Sequence, residues 1–454
     1  MSTSFEVINP ATGEPFTAVP DAGTVELDAA AAAATRAGRA WRALPHAERQ
    51  QLVLALVATV RAHLDELALL LTREQGKPVG RARGEIESGL RYCESFAAMA
   101  LPVEVVRDDT DERVEIRRVP VGVVGAITAW NYPLLLALWK IGPALVAGNT
   151  VIVKPSPYTP VATLRLGELA RSVLPAGVLQ VLAGGDDLGR ALTAHPAINK
   201  ISFTGSERTG KAIMASAAPT LKRLTLELGG NDAGIVLDDA DPAAIAADLY
   251  WAALSNCGQV CAGLKRLYVP ERLASAIEEA LAAVAATIVV GDGTRDYVDM
   301  GPVQNEPQLR RVQSLTAAAE QAGAQVYFRG EAPDGPGYFH PVTLVRNATE
   351  EMAVVAQEQF GPVLPILTYR DIDDAVARAN ASDLGLGASV WSGDEGRAVE
   401  VAERMEAGTV WVNQHPMLSP DVPFGGVKQS GLGVESSLHG LLGYTDISVL
   451  RIKR

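Results

Sequence analysis

The chain has 454 residues, 48% of them hydrophobic and 20% charged, an ordinary globular composition with apolar material for two or three domains. Its formal charge of −13 favours solubility and weighs against nucleic acid or an anionic membrane as partner. Three cysteines, Cys93, Cys257 and Cys261, do not make a disulfide framework. With no leader pattern at Met1-Ser2-Thr3-Ser4-Phe5-Glu6 and no apolar run near the ~18 residues that span a bilayer, a reducing cytoplasm is the expected setting.

Residues 24–99 read as helical. Thr24 is placed to cap a first helix, with Glu26 close behind and Asp28 leading into six alanines at 29–34. Pro45 starts a second run, in which Leu52, Leu56, Leu64, Leu67 and Leu71 recur near helical spacing as a core stripe until Gly76 ends it. Residues 103–119 alternate apolar and charged side chains around the acidic turn Asp108-Asp109-Thr110-Asp111. They predict a β-hairpin exposed on both faces, the form of an arm that seeks a partner surface.

From Val121 the pattern changes to short apolar runs separated by helical stretches. Strands are predicted at 121–128, 150–154, 178–182, 198–203 and 224–226, with helices near 134–146 and 160–173. A second series follows at 232–237, 266–269, 325–328, 365–369, 387–391 and 408–412. Continuous apolar strands between helices predict buried, doubly wound parallel sheets. The fold class expected is therefore α/β, with two such units plus the arm. Sheets of this kind bind ligands at the carboxyl ends of their strands.

Four stretches carry groups capable of chemistry, and each admits two readings. Cys261, in Ser255-Asn256-Cys257-Gly258-Gln259-Val260-Cys261-Ala262-Gly263, sits in a glycine-punctuated loop between a helix and a strand. It is either an inert loop thiol or a nucleophile, as exposure and ionisation decide; structural zinc at Cys257 and Cys261 would need further Cys or His ligands, and none lie nearby. Glu227 closes an apolar strand just before Gly229-Gly230. It is a capping or paired carboxylate, or a base whose pKa burial has raised. Thr204-Gly205-Ser206 turns a strand into a helix, either as an ordinary junction or as a cradle for pyrophosphate. Asn131, in Ala129-Trp130-Asn131-Tyr132-Pro133, is a turn residue or an amide donor to an oxyanion.

Taken together, the four resemble the aldehyde dehydrogenase superfamily. So do Lys154-Pro155-Ser156, Glu358-Gln359-Phe360-Gly361-Pro362-Val363 and Pro423-Phe424-Gly425-Gly426-Val427-Lys428-Gln429-Ser430-Gly431. The likeness runs from Ile8-Asn9-Pro10-Ala11-Thr12-Gly13 to the last strand. It implies a Rossmann-like cofactor domain (1–102 and 121–229), a catalytic domain (230–431) and a β-hairpin oligomerisation arm (103–120 and 432–454), assembled as a homodimer or homotetramer.

The implied reaction oxidises an aldehyde to a carboxylic acid. Cys261 forms a thiohemiacetal and then a thioester, Asn131 and the Cys261 N–H hold the oxyanion, hydride passes to NAD(P)+, and Glu227 activates the hydrolytic water. For the cofactor the resemblance implies Lys154 and Ser156 at the adenosine ribose, and Ser206 and Trp130 near the pyrophosphate. It implies Glu358 at the nicotinamide ribose with Phe360 nearby, Thr204 and Leu228 beside the nicotinamide, and Thr128 and Gly205 as further cofactor-binding residues. NAD is the cofactor expected. NADP stays open, because Pro157 stands where many NAD-using members have a carboxylate. Val434 stands where an arginine is common.

The aldehyde funnel is expected to be lined by Tyr132, Leu135, Leu136 and Trp139, by Val260 and Ala262, and by His415, Met417 and Leu418. That wall is mainly apolar without arginine or lysine, which suggests an aliphatic or aromatic aldehyde; His415 either meets a polar substituent or is a solvated loop histidine. Two other readings remain at this stage. One is an acylating enzyme that passes the thioester to coenzyme A, against which Glu227 weighs. The other is a non-catalytic binding relative, which has little reason to keep Cys261, Glu227 and Asn131 together.

Overall fold

The computed structural model describes residues 4–454; Met1-Ser2-Thr3 of the N-terminal reading lie outside the described residues. The chain opens with an antiparallel hairpin, β1 (Ser4–Asn9) and β2 (Glu14–Pro20). The sequence did not announce it, because prolines at 10, 15 and 20 break the alternation and confine such strands to an edge. Four helices follow: α1 (Thr24–Ala43), α2 (His46–Ala62), α3 (Leu64–Gln75) and α4 (Val79–Ala98). The first cap is Gly23 rather than Thr24, and the Glu26 carboxylate accepts the Gly23 N–H at 2.9 Å. The leucine stripe is broken at His63 between α2 and α3. Leu56, Leu67 and Leu71 are buried, while Leu52 and Leu64 pack at the rim. Gly76, at φ +98°, ends α3.

The predicted arm is the hairpin β3 (Glu104–Asp108) and β4 (Glu112–Pro120). Next comes a sheet of β5 (Val123–Ile127), β6 (Thr150–Lys154), β7 (Leu179–Val181), β8 (Lys200–Thr204) and β9 (Arg223–Glu227), all parallel in the order β9-β8-β5-β6-β7. Helices α5 (Pro133–Val146), α6 (Val161–Ala170), α7 (Asp186–Ala194) and α8 (Glu207–Ala217) connect its strands. The strand order reverses between β5 and β8, the switch point at which open sheets of this kind leave a binding crevice.

The second sheet starts with β10 (Asp232–Val236). Helix α9 (Pro242–Leu254) leads to β11 (Leu264–Pro270), followed by β12 (Gln325–Arg329), β13 (Thr343–Arg346) and β14 (Val363–Tyr369). A two-residue strand β15 (Leu384–Gly385) precedes β16 (Gly387–Trp391) and β17 (Thr409–Val412). The order is β12-β13-β14-β11-β10-β16-β17, parallel except for β12. Strands β5, β6, β8, β10, β11 and β16 are buried along their whole length, which is why they read as unbroken apolar runs.

The C-terminal segment divides differently from the expected 432–454 arm. A short strand β18 (Val427–Lys428) pairs with β15, and β19 (Gly431–Leu432) adds an antiparallel edge to β9. The helix Ser437–Leu442 packs on α4 and α5, with Leu441 and Tyr444 in the largest core. Only β20 (Thr445–Lys453) joins the arm, giving a three-stranded sheet in the order β20-β4-β3. Burying Leu441 and Tyr444 ties residues 431–444 to the first sheet, and 445–453 pair with β4.

Candidate active site

The site forms where β9 hands over to β10. Four residues, Leu228-Gly229-Gly230-Asn231, separate the two strands, so the carboxyl end of one sheet abuts the amino end of the other. Glu227 is the last residue of β9 and is 2% exposed. Neither of its carboxylate oxygens has a hydrogen-bond partner among the described residues. Burial lifts its pKa to about 7, against the opposing pull of the Cys261 thiol and of Lys140. That value lies in the working range of a general base at neutral pH.

Cys261 reaches the same place from the other sheet. Between α9 and β11 the chain coils through Asn256, Cys257 and Gly258 with φ of +52°, +59° and +69°. Left-handed backbone at consecutive non-glycine residues costs free energy and persists only when its surroundings hold it. They do so here. Gly258 lies so close to Gly361 that a β-carbon would sit 2.1 Å from its carbonyl oxygen. The Asn256 side-chain amide donates to the Asn131 carbonyl at 3.0 Å, and Asn131 Nδ2 donates to the Gln259 carbonyl at 3.1 Å. Gln259 Oε1 in turn accepts the Gln304 N–H at 2.8 Å. Asn131 is thus fastened to the nucleophile loop with one amide N–H still to give.

Of the three cysteines only Cys261 is partly accessible; Cys93 and Cys257 are buried. Burial, and then the Glu227 carboxylate, push the Cys261 thiol well above its usual range. The thiol therefore rests protonated beside a carboxylate able to receive its proton. The structure brings Cys261, Glu227 and Asn131 into one locus.

The cofactor candidates line the adjoining strand ends. Thr128 follows β5, Lys154 ends β6, and Thr204 ends β8. The Thr128 and Thr204 hydroxyls are buried without partners, orphan polar groups that a bound polar ligand would satisfy. Ser206 caps α8, its side chain accepting the Thr209 N–H, and Gly205 donates its N–H to the Glu227 carbonyl at 3.1 Å. Leu228 donates its N–H to the Ser430 carbonyl, and Gly210 of α8 packs on its side chain. Across the crevice Trp130 meets Phe360 edge-on at 5.2 Å, and Glu358 Oε1 accepts the Gly230 N–H at 3.4 Å. Burial raises Glu358 to about 7, with Lys265 pulling it down. Lys154 is lowered by burial to about 8, while Asp186 and Asp21 oppose that shift. Ser156 Oγ accepts the Tyr158 N–H at 3.3 Å. A helix N-terminus, orphan hydroxyls and a strand-end lysine fit a dinucleotide.

On the aldehyde side, Tyr132 and Leu135 border a cavity of about 350 Å³ shared with α4 and with Trp251 and Asn256. Leu136, Trp139, Val260 and Ala262 are buried, Leu418 packs on the same core, and Met417 is 61% exposed. His415 is buried rather than solvated, and its Nε2 donates to the Ala262 carbonyl at 3.0 Å. Burial lowers its pKa to about 3, so it is a neutral donor holding the loop. The cavity at Tyr132 and Leu135 also holds Lys77, just ahead of α4, and Arg81 of α4. Lys77 is ion-paired with Glu85, and Arg81 lies over the Trp251 ring at 4.9 Å.

Sequence reasoning also missed the buried pair Lys140–Glu435 (2.7 Å), both of whose charges bear on Glu227. A lone lysine in the apolar run Leu134–Val146 was the available signal.

The family model for the aldehyde dehydrogenase family matches residues 1–450, and the chain belongs to that family. Phenylacetaldehyde dehydrogenase of Pseudomonas fluorescens is 41% identical over 97% of this chain and 91% of its own length. 3-Sulfolactaldehyde dehydrogenase of Pseudomonas putida is 37% identical over 98% and 92%. The crystal structure of betaine aldehyde dehydrogenase from Staphylococcus aureus in complex with NAD+ matches with TM-score 0.95 at 32% identity, covering 99% of this chain and 91% of that one. The chain is accordingly an NAD(P)-dependent oxidoreductase whose reaction takes an aldehyde to the carboxylic acid.

Proposed function

We propose that Cys261, Glu227 and Asn131 carry this oxidation, on the single observation that a partly accessible thiol stands beside a buried, unpartnered carboxylate and a tethered amide. Glu227 takes the thiol proton, directly or through water, and the Cys261 sulfur attacks the aldehyde carbon. The resulting oxyanion is received by Asn131 Nδ2 and the Cys261 N–H; one such donor is worth ~3 kcal/mol. Bound dinucleotide supplies the hydride acceptor. As the oxyanion collapses to a thioester on Cys261, the C–H hydrogen of the former aldehyde leaves with its electron pair to that acceptor, and Glu227 gives up the thiol proton to solvent. Glu227, ionised again, then takes a proton from water, whose oxygen attacks the thioester carbon, and returns that proton to the departing sulfur. The acid leaves and the thiol is restored. The roles assigned to the unit ending at β9, as dinucleotide-binding, and to the unit starting at β10, as catalytic, belong to this proposal.

Thr128, Trp130, Thr204, Gly205, Ser206, Leu228, Glu358 and Phe360 would hold the cofactor along the crevice, with Lys154 and Ser156 at its adenosine end. NAD is the proposed form. Pro157 supplies no carboxylate, but the cleft beside Lys154 is lined by Asp21, Glu26, Glu168, Asp186 and Asp187 against one cation, Arg171. A 2′-phosphate there would meet like charge. The proposed substrate is an aliphatic or aromatic aldehyde of moderate size, taken in past Tyr132 and Leu135, where Lys77 is paired with Glu85 and Arg81 lies on the Trp251 ring. A cytoplasmic homodimer, or a tetramer of two such pairs, completes the reading. Its support is the apolar surface left open on the arm, where Val105, Val106, Ile447 and Val449 are 45–63% exposed.

The test is Cys261→Ala. Aldehyde-dependent NADH formation should vanish while NADH binding, followed by its fluorescence, survives. Near wild-type turnover in that variant would end the nucleophile assignment, and turnover strictly dependent on coenzyme A would end the role of water.

A further inference from the structure

Lys265 is used by none of these steps, yet it is 2% exposed at the start of β11, directly below the nucleophile loop. Its Nζ donates to the Gly258 carbonyl at 3.1 Å and to the Val260 carbonyl at 2.6 Å. The second contact is the informative one. The Val260 carbonyl and the Cys261 N–H belong to one peptide, and no peptide bond among the described residues is cis. In a trans peptide the C=O and N–H point in opposite directions. An amine that grips the oxygen on one side therefore fixes the N–H on the other. A positive charge on that oxygen also draws electron density from the amide and strengthens its N–H as a donor.

The neighbouring peptides are fixed as well. A β-carbon on Gly230 would sit 2.7 Å from the Cys261 carbonyl oxygen, so that oxygen lies tight against the Gly-Gly turn. His415 holds the Ala262 carbonyl at 3.0 Å. Three successive carbonyls around the nucleophile are thus engaged, two by hydrogen bonds and one by close packing. Buried Asp232, whose Oδ2 lies 3.6 Å from His415 Nε2, and Glu358 supply negative charge to Lys265. Burying a lysine amine is a costly way to fill space that an apolar side chain could occupy.

We infer that Lys265 is a positioning residue for the oxyanion site, holding and polarising the Val260–Cys261 peptide so that the Cys261 N–H meets the oxygen of the tetrahedral adduct. The inference rests on the proposed role of Cys261.

The test uses p-nitrophenyl acetate alongside an aldehyde, because the ester acylates a thiol through the same kind of oxyanion without a dinucleotide. In Lys265→Met, ester turnover and aldehyde kcat should both fall about tenfold or more. KM and NADH binding should change less than about twofold. Lys265→Gln keeps an N–H donor without the charge, so it should recover part of the loss and is the variant to read if Lys265→Met does not fold. Folded variants that keep wild-type kcat and ester turnover, or whose loss lies in KM alone, overturn the inference. Wild-type turnover that survives Cys261→Ala would instead remove the reading beneath it.

Discussion

A carboxylate with a pKa near 7 does different work on either side of that value. Glu227 acts as a base only when ionised, so kcat should fall about tenfold per pH unit once the pH drops below about 7, where burial has placed its titration. Glu227→Gln should remove that acid limb and slow thioester hydrolysis by about 10² to 10⁴. Rapid-mixing traces would separate the loss in the first NADH-forming turnover, where Glu227 receives the thiol proton, from the loss in hydrolysis; full steady-state turnover in the variant would refute the assignment. Asp186 permits a second residue-level expectation. It opens α7 close enough to Lys154 to influence its ionisation. Asp186→Ser should tighten NADPH binding relative to NADH, read by fluorescence titration. An unchanged ratio would leave the preference to other groups.

These residues differ in how far the sequence exposed them. Cys261, Glu227 and Asn131 stand beside glycines and strand ends, which advertise loops facing a crevice. Lys140 is a single lysine in an apolar run whose partner lies 295 positions away at Glu435, and Lys265 stands beside Arg266 at the head of a strand, so only the folded chain gives them a role. His415 looked like a loop histidine because nothing local shows that its nitrogen is engaged by Ala262.

At the level of elements, α5 owes its start to side chains from another helix. Glu85 Oε1 accepts the Leu134 and Leu135 N–H groups at 3.0 and 3.2 Å, at the end of α5 where helical N–H groups lack partners. The buried Lys77 pairs with Glu85 and donates to the Asn131 carbonyl at 2.9 Å. One ion pair therefore caps the helix and steadies the oxyanion amide. Glu85→Ala, which strands Lys77, should cost about 3–5 kcal/mol. The double variant Glu85→Ala with Lys77→Met should cost less than the two single changes added together, and denaturant unfolding of all three would measure the coupling. Strictly additive losses would mean that the pair does not act as a unit. The order of strands and helices was readable because buried parallel strands leave unbroken apolar runs. The capping of α5 was not, since the spacing from 85 to 134 carries no local pattern.

At the scale of the molecule, the arm is the element least able to stand alone. Its sheet has three strands, and its ion pairs, such as Arg451–Glu112 and Arg113–Asp108, lie at the surface, where such pairs contribute ~0–1 kcal/mol each. Ile447 and Val449 are 63% and 57% exposed on β20, an edge strand. An apolar edge of that kind is a template for another chain unless it is covered. A second copy of this protein, meeting it across a two-fold axis, is the proposed cover. Changing Ile447 and Val449 together to Lys should lower the sedimentation mass toward that of a single chain. The arm lies outside the catalytic locus, so the thiol and its carboxylate should remain assembled and turnover per chain should persist at concentrations where the variant stays folded. An unaltered mass would show that the subunits meet through some other face.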